Sequence, residues 1–384
     1  MPSLRAAPPF HMTEMIEAEP ALAARILERL AATDGAAAQL ADQIRTAGLT
    51  GRPILVTGCG TSEHAAMSVV EILREALRAS GLPGSAGRAG TPVAVQAFEA
   101  AVEGDLAGPA GLVIGVSHEG ATTATNRALE RACAAGSTVA LITVSDRSPG
   151  AELADIVVAT EELDESWCHT VGYLSPIIAA CAVAGHLTGR TVATGAVRKA
   201  LAAGLEPEAI EAAESLAQRL AGVDRLIVVG SGSDRPAARE LVLKVEEGAH
   251  LPGAMRDLET FLHGHLAGTD ARTGLVLVLT DTSPDAEARV TRATDVLRAA
   301  AEIGMPAGAI LAARFNERIA PALTPAGRLV VPASRELPPA IAALVGSAVP
   351  LQLLTERLAR VRGVNPDPIR RDETAYLRAA ETAG

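Results

Sequence analysis

Aromatic residues are almost absent from this 384-residue chain: one Trp, two Tyr and four Phe make up 2% of it. That scarcity argues against a stacking platform for nucleic acid bases. Cysteines number four (Cys59, Cys133, Cys168, Cys181), none in a C-x-x-C pair, so a disulfide framework or a clustered thiolate metal site finds no support. The net charge is −11 and no Lys/Arg cluster stands out, which disfavours a polyanion-binding surface; any phosphate has to be held locally. No secretory signal follows Met1 and no apolar run is read as reaching the roughly 20 residues of a membrane span, so the expectation is a cytoplasmic protein without membrane or nucleic acid partners.

What the chain does have is Ala, Val and Leu in quantity, within a 48% hydrophobic total, and an internal repeat. Ile54 to Ala76 and Leu226 to Gly248 are imperfect copies: Gly58 pairs with Gly230, Gly60 with Gly232, Ala65 and Ala66 with Ala237 and Ala238. Each copy reads as an apolar strand, a Gly-x-Gly turn rich in hydroxyls, then a helix. About 50 residues on, Gly111–Ser117 and Gly274–Thr280 repeat a second strand that ends on a hydroxyl. Alternating strands and helices predict parallel sheets, and hence an α/β chain with two domains. The boundaries are placed at 1–50 (an N-terminal helical segment wrapping the first domain, with Pro20 allowing a break), 51–192 (first domain), 193–220 (connecting helices), 221–362 (second domain) and 363–384 (a Pro-rich, extended tail). The Gly/Ser/Pro-rich stretch Ser80–Gly90 reads as loop.

In open parallel sheets ligands sit beyond the carboxyl ends of the strands, so the residues just after each strand matter most. Cys59-Gly60-Thr61-Ser62 comes off a strand and opens a helix, converging helix-start N–H groups and two hydroxyls on a place that suits a phosphate. A dinucleotide fingerprint would need glycine at position 63, where Glu63 stands. The plainer alternative is that Thr61 and Ser62 only cap a helix. The second turn, Ser117-His118-Glu119-Gly120-Ala121-Thr122, has the same placement, with Ser117 and Thr122 as donors. Glu119 is out of keeping there, since two like charges ~4 Å apart at an effective dielectric of ~20 repel by about 4 kcal/mol. Either Glu119 points away, or His118 or an arginine such as Arg370 or Arg371 compensates it, or the bound group is not a phosphate.

These two turns and the duplication resemble the tandem sugar isomerase (SIS) domain family, with its phosphosugar isomerases, deaminases and deglycases. The resemblance spans almost the whole chain, beginning with the lead-in Met12-Thr-Glu-Met-Ile-Glu-Ala-Glu-Pro20. It implies two flavodoxin-like three-layer αβα domains and a homodimer in which one subunit's histidine completes the other's site. It further implies that Cys59, Gly60, Thr61, Ser62, Ser117, His118, Glu119 and Thr122 bind the sugar phosphate. Cys168-His169-Thr170-Val171-Gly172-Tyr173 resembles the family's substrate loop, placing His169 and Thr170 at the sugar, with Val171 where the family has lysine. Leu243-Lys-Val-Glu-Glu247 resembles the family's catalytic helix: Glu247, sixteen residues before His263, would shuttle the proton and His263 would open the ring.

The chemistry makes the same request. Aldose–ketose interconversion moves a proton between C1 and C2, which needs one carboxylate acting in turn as base and acid, and ring opening needs a group such as histidine. No cofactor is required. A metal reading of His250, His263 and His265 lacks a recognised spacing. The blander alternative leaves Lys244 and Glu247 as exposed helix residues, His263-Gly264-His265 as a polar turn and Trp167 as packing. The family's synthases carry an amidotransferase domain and a lysine in the tail; this sequence begins Met1-Pro2 and has no lysine after Asn365, which speaks against glutamine-dependent amination and a Schiff base. The expectation is an isomerase-type enzyme, with amine release as a variant. A non-catalytic sugar-phosphate sensor and an enzyme for an unphosphorylated sugar are the alternatives.

Overall fold

The computed structural model describes residues 3, 5–84, 88–104 and 106–383. The expected Ser80–Gly90 loop falls partly on residues 85–87, which lie outside the described residues. The elements in chain order are α1 (His11–Arg29), α2 (Ala36–Thr50), β1 (Ile54–Gly58), α3 (Thr61–Ala79), β2 (Pro92–Gln96), α4 (Ala97–Glu103), β3 (Leu112–Val116), α5 (Thr123–Ala134), β4 (Thr138–Thr143), β5 (Ile156–Ala159), α6 (Val171–Thr188) and α7 (Thr194–Ala202). There follow α8 (Pro207–Leu220), β6 (Arg225–Val229), α9 (Arg235–Ala249), β7 (Gly253–Arg256), α10 (Leu258–Leu262), β8 (Thr273–Leu279), α11 (Ala286–Ile303), β9 (Ala307–Ala312), α12 (Ala313–Asn316), β10 (Gly327–Val331), α13 (Pro339–Val361) and α14 (Thr374–Ala383).

Two five-stranded sheets result, ordered β2-β1-β3-β4-β5 and β10-β9-β8-β6-β7, and every pairing is parallel. Both are therefore wound in the same order, with the reversal falling between β1 and β3 in one and between β6 and β8 in the other. The α/β expectation is met. Central strands such as β3 and β8 are buried at every residue, as strands covered by helices on both faces must be.

Contacts group the chain into two compact bodies that interleave along the sequence: residues 21–163 with 171–197, and residues 1–20 with 164–170 and 198–384. The N-terminal segment 1–50 is divided between them, residues 21–50 grouping with the first body. Its first twenty residues join the second body, where the buried Asp367 carboxylate accepts from the N–H groups of His11 (2.9 Å) and Met12 (2.8 Å) at the start of α1. A carboxylate on unpaired N–H groups at a helix N-terminus contributes roughly 0.5–2 kcal/mol. Glu356 of α13 adds a bond from Thr13 Oγ1 at 2.8 Å.

Several sequence expectations change. Helix α1 runs through Pro20 without a break. The short elements α4, β7 and α10 were not anticipated, and part of the extended tail is helical, as α14. Two helices, α6 and α13, are long and apolar enough to cross a membrane by length and composition, contrary to the reading that no such run exists; 89% of each apolar window is buried inside the protein. Helices enclosed on all sides need no polar face, which explains the composition.

Candidate functional site

The first body carries the two hydroxyl-bearing turns. They leave β1 and β3, which pair in register from Ile54 with Leu112 to Thr57 with Gly115, so both open at the carboxyl edge where the strand order reverses. The first turn is tight because of Gly58: a Cβ there would lie 2.5 Å from the carbonyl oxygen of Ser62. Gly60, at φ 56°, is the N-cap of α3, with no side-chain cap. Thr61 and Ser62 are therefore not N-cap residues. The helix-start amides are less available than the sequence implied, since Ser62 N–H bonds Cys59 O (3.1 Å) and Glu63 N–H bonds Gly60 O (2.9 Å). What this turn carries is two hydroxyls, on a buried Thr61 and a half-buried Ser62. Cys59 sits beside Gln96 Nε2 at 3.8 Å, and burial pushes its thiol pKa up.

In the second turn Ser117 Oγ donates to Thr122 Oγ1 at 3.4 Å, bringing the two predicted hydroxyls together across five residues. Ser117 is buried, whereas Thr122 is exposed at the N-cap of α5 with no side-chain cap. His118 is fixed through its carbonyl, which accepts from Val144 N–H (2.9 Å) and Thr143 Oγ1 (3.0 Å). Gly120, at φ +66°, has no room for a side chain, because a Cβ would stand 2.0 Å from Ser148 Oγ. Glu119 is exposed. Its carboxylate is free to point into solvent, the first of the resolutions set out above.

The equivalent edge of the second body is filled from within. Asp234 stands where the sequence repeat pairs it with Ser62, follows β6, and is 1% exposed. Its carboxylate accepts from Thr280 N–H (2.9 Å) and Oγ1 (2.5 Å) and from Asp281 N–H (3.2 Å), the groups that follow β8. Burial pushes its pKa up to about 6, against the opposing pull of the Thr280 hydroxyl. Arg289 then pairs with Asp281 at 2.5 Å. The repeat itself held the signal, a carboxylate in place of a hydroxyl, and sequence reasoning passed it by.

The second body also carries the predicted catalytic helix. Glu240, Lys244 and Glu247 lie on one face of α9, at i, i+4 and i+7. Lys244 and Glu240 are wholly buried, while Glu247 keeps 24% of its side chain exposed. Lys244 Nζ donates to Glu247 Oε2 at 2.5 Å and stands 3.6 Å from Glu240 Oε1. Desolvation alone would lower the Lys244 pKa; the Glu247 and Glu240 carboxylates overturn that and hold the ammonium charged. The bland reading of Lys244 as an exposed helix residue is thereby excluded. Glu246 is exposed and accepts from Gly253 N–H at 3.0 Å.

The loop Asp164–Thr170 packs on this helix, Cys168 Sγ facing Lys244 O at 3.9 Å, and burial raises the Cys168 thiol far above its usual range. His169 is 30% exposed with Nδ1 3.6 Å from Asp164. Thr170 is wholly buried, and its N–H donates to Asp164 Oδ2 at 2.7 Å. Its carbonyl, not an exposed hydroxyl, meets the rest of the protein, through Gln352 Nε2 at 3.2 Å. Trp167 is half-buried with the Arg371 guanidinium 4.8 Å over its ring. Arg370 is committed to Glu373 at 2.8 Å.

His263 ends α10, 74% exposed, its Nε2 2.7 Å from Glu259. His265 opens a 3-10 turn, so the two histidines do not lie on a strand. The side chains among the described residues that approach metal-ligand geometry are others: His11, Glu14 and Glu165, whose ligand atoms lie within 4.8 Å of one another. Glu14 already pairs with Arg5 at 2.7 Å.

No family model matches the chain. A curated glutamine–fructose-6-phosphate aminotransferase (isomerizing) of Pyrobaculum aerophilum is 26% identical over 335 residues, 85% of this chain, which spans about half (51%) of that protein's length. Among solved structures, the C-terminal domain of glucosamine-fructose-6-phosphate aminotransferase from Francisella tularensis superimposes with a TM-score of 0.77 at 16% identity, over 95% of this chain and 99% of that one. Tagatose-6-phosphate ketose/aldose isomerase from Escherichia coli gives 0.73 at 18% identity, over 96% and 97%. Glucosamine-6-phosphate deaminase from Thermotoga maritima gives 0.64 at 17% identity, over 93% and 97%. With two parallel sheets of one strand order, hydroxyls at the first reversal point and likeness across nearly its whole length, the chain has the fold of the tandem sugar isomerase domain proteins.

Proposed function

We propose that this protein is an isomerase-type enzyme that moves a proton between C1 and C2 of a sugar phosphate or amino-sugar phosphate, with amine release as a variant of the same chemistry. The observation that carries the proposal is the Glu247 carboxylate, partly open to solvent and gripped at 2.5 Å by a lysine that is itself wholly buried. A base that shuttles one proton between adjacent carbons needs a fixed position and access to the substrate, and this arrangement supports both. Thr61, Ser62, Ser117 and Thr122 hold the anionic group at the strand-order reversal, and their hydroxyls, with no lysine or arginine in either turn, suit an anion held by neutral donors. His263 opens the ring. Its exposure on its own chain supports a homodimer in which it serves the partner's site. The reading needs no cofactor, and a cytoplasmic location accords with it.

The test is exchange at C2 in deuterated water across a panel of hexose and hexosamine 6-phosphates. Parent protein exchanges label into at least one of them, and Glu247→Gln slows that exchange by a factor of about 100 or more. Measurable binding of a phosphosugar with no exchange in any member of the panel would leave a sensor, not an enzyme.

A further inference from the structure

Beneath the loop Asp164–Thr170 lies a carboxyl group to which the proposed chemistry gives no role. Glu19 of α1 is completely buried, and neither of its oxygens has a hydrogen-bond partner of ordinary geometry. Ser166 Oγ, Thr170 Oγ1 and Gln352 Oε1 are buried and unpartnered as well, so the underside of the loop collects orphan polar atoms. Such atoms are rare in folded proteins, and each calls for a reason.

The groups that act on Glu19 come from two elements. From α13, the neutral Gln352 side chain faces it, already committed through Nε2 to the Thr170 carbonyl. From the loop, the charged group is Asp164, wholly buried on its side chain, which accepts from Ser166 N–H (3.1 Å) and Thr170 N–H (2.7 Å) and has the His169 ring 3.6 Å away. Farther along α13, Glu356 is engaged by Thr13, Arg357 and Arg360. A carboxylate at position 19 would thus face a second carboxylate. Burial, opposed by the Gln352 amide and reinforced by Asp164, pushes its pKa well above the ordinary range.

We propose that Glu19 is a positioning residue for the loop: uncharged, it lets Gln352 and Asp164 hold the segment down, and when it loses its proton the segment comes loose. Relief comes from the loop side because the 164–170 backbone is retained by a few hydrogen bonds, among them those at Asp164 and Thr170 and one from Trp167 N–H to Asp367 O at 3.1 Å. The sign follows from linkage. The docked form binds the proton more tightly than the undocked form, so docking is strongest below the ordinary glutamic acid pKa near 4.3 and weakens about tenfold per pH unit from there up to the raised value. The inference rests on the proposed function only in taking this loop as part of the sugar site.

The single tryptophan of the chain, Trp167, lies in the loop against Arg371 and reports its state without substrate. Emission of the parent protein, followed from pH 5 to pH 9 without sugar, changes through a one-proton transition, and Glu19→Gln, of the same shape but unable to ionise, abolishes that transition. In urea the advantage of Glu19→Gln over the parent also grows with pH, whereas loss of a merely structural contact gives a gap that pH does not move. Should Glu19→Gln not fold, Glu19→Met carries the same comparison. A parent whose emission is flat over this range, or a Glu19→Gln profile that follows the parent, overturns the inference. Since no step uses a sugar, failure here leaves the proposed reaction standing, and failure of that reaction leaves this result interpretable.

Discussion

Replacing Lys244 by methionine keeps the length of the side chain and deletes its charge, leaving Glu240, with no exposed surface, facing Glu247. Removing one member of a buried ion pair costs about 3–5 kcal/mol. The proton offers a bound on that figure. A buried glutamate of ordinary pKa ~4.3 escapes the penalty by protonating, at a cost of about 1.4 kcal/mol per pH unit above that value, or about 5 kcal/mol at pH 8 and about 1 kcal/mol at pH 5. The loss is therefore expected to be small at acid pH, where taking up a proton costs little, and to grow as pH rises. Urea unfolding of parent and Lys244→Met at pH 5 and pH 8 reads the difference directly. The double variant Glu240→Gln/Lys244→Met, which removes both charges, recovers most of the deficit at pH 8. A loss below about 1 kcal/mol, or one that does not change with pH, would mean that water reaches these groups and that the lysine does not fix Glu247.

Four other outcomes are expected. Ser117→Ala and Thr61→Val each raise KM for a phosphorylated sugar about tenfold or more with little change in kcat, the mark of a contact made equally in ground and transition states. Glu119→Ser favours a phosphorylated sugar over its unphosphorylated counterpart, by about 1 kcal/mol in the ratio of kcat/KM since the carboxylate is exposed; a parent that already prefers the unphosphorylated form would shift the substrate class. Between pH 4 and pH 7 the parent loses roughly 2 kcal/mol of stability relative to Asp234→Asn, because the Asp234 pKa is raised from 3.8 to about 6 and the folded state therefore holds its proton longer than the unfolded one; equilibrium unfolding at the two pH values checks this. Mixing inactive Glu247→Gln and His263→Asn proteins after dissociation restores about a quarter of the activity if each site takes its histidine from the partner, and restores none if each chain is self-sufficient.

The sheets were legible because their central strands are mainly apolar runs such as LVIGV and GLVLVL, and the first turn because backbone approach at Gly58 admits no side chain. The elements that escaped notice are short. β7 has four half-buried residues at a sheet edge, giving neither alternation nor an apolar run, and α4 and α10 span seven and five residues. Pro20 looked like a breaker because a helix interior usually rejects proline, yet α1 continues through it. The grouping of residues 1–20 and 164–170 with the C-terminal body depends on bonds such as those from His11 and Trp167 to Asp367, between residues hundreds of positions apart, which periodicity cannot register. For the proposed site, the family resemblance pointed to Glu247, but the burial of its neighbours Lys244 and Glu240, the burial of Thr170 and its bond to Gln352 are tertiary facts.

Sheet order alone would give this polypeptide two places suited to a negatively charged guest. Asp234 changes that count. By lending its own carboxylate to the amides that follow β8, it satisfies from inside the fold what, as proposed above, the other rim takes from solution. On the proposed reading, the division between a scaffold half and a recognition half, and with it a capacity of one anionic ligand for each chain, comes down to whether position 62 or 234 holds a hydroxyl or an acid.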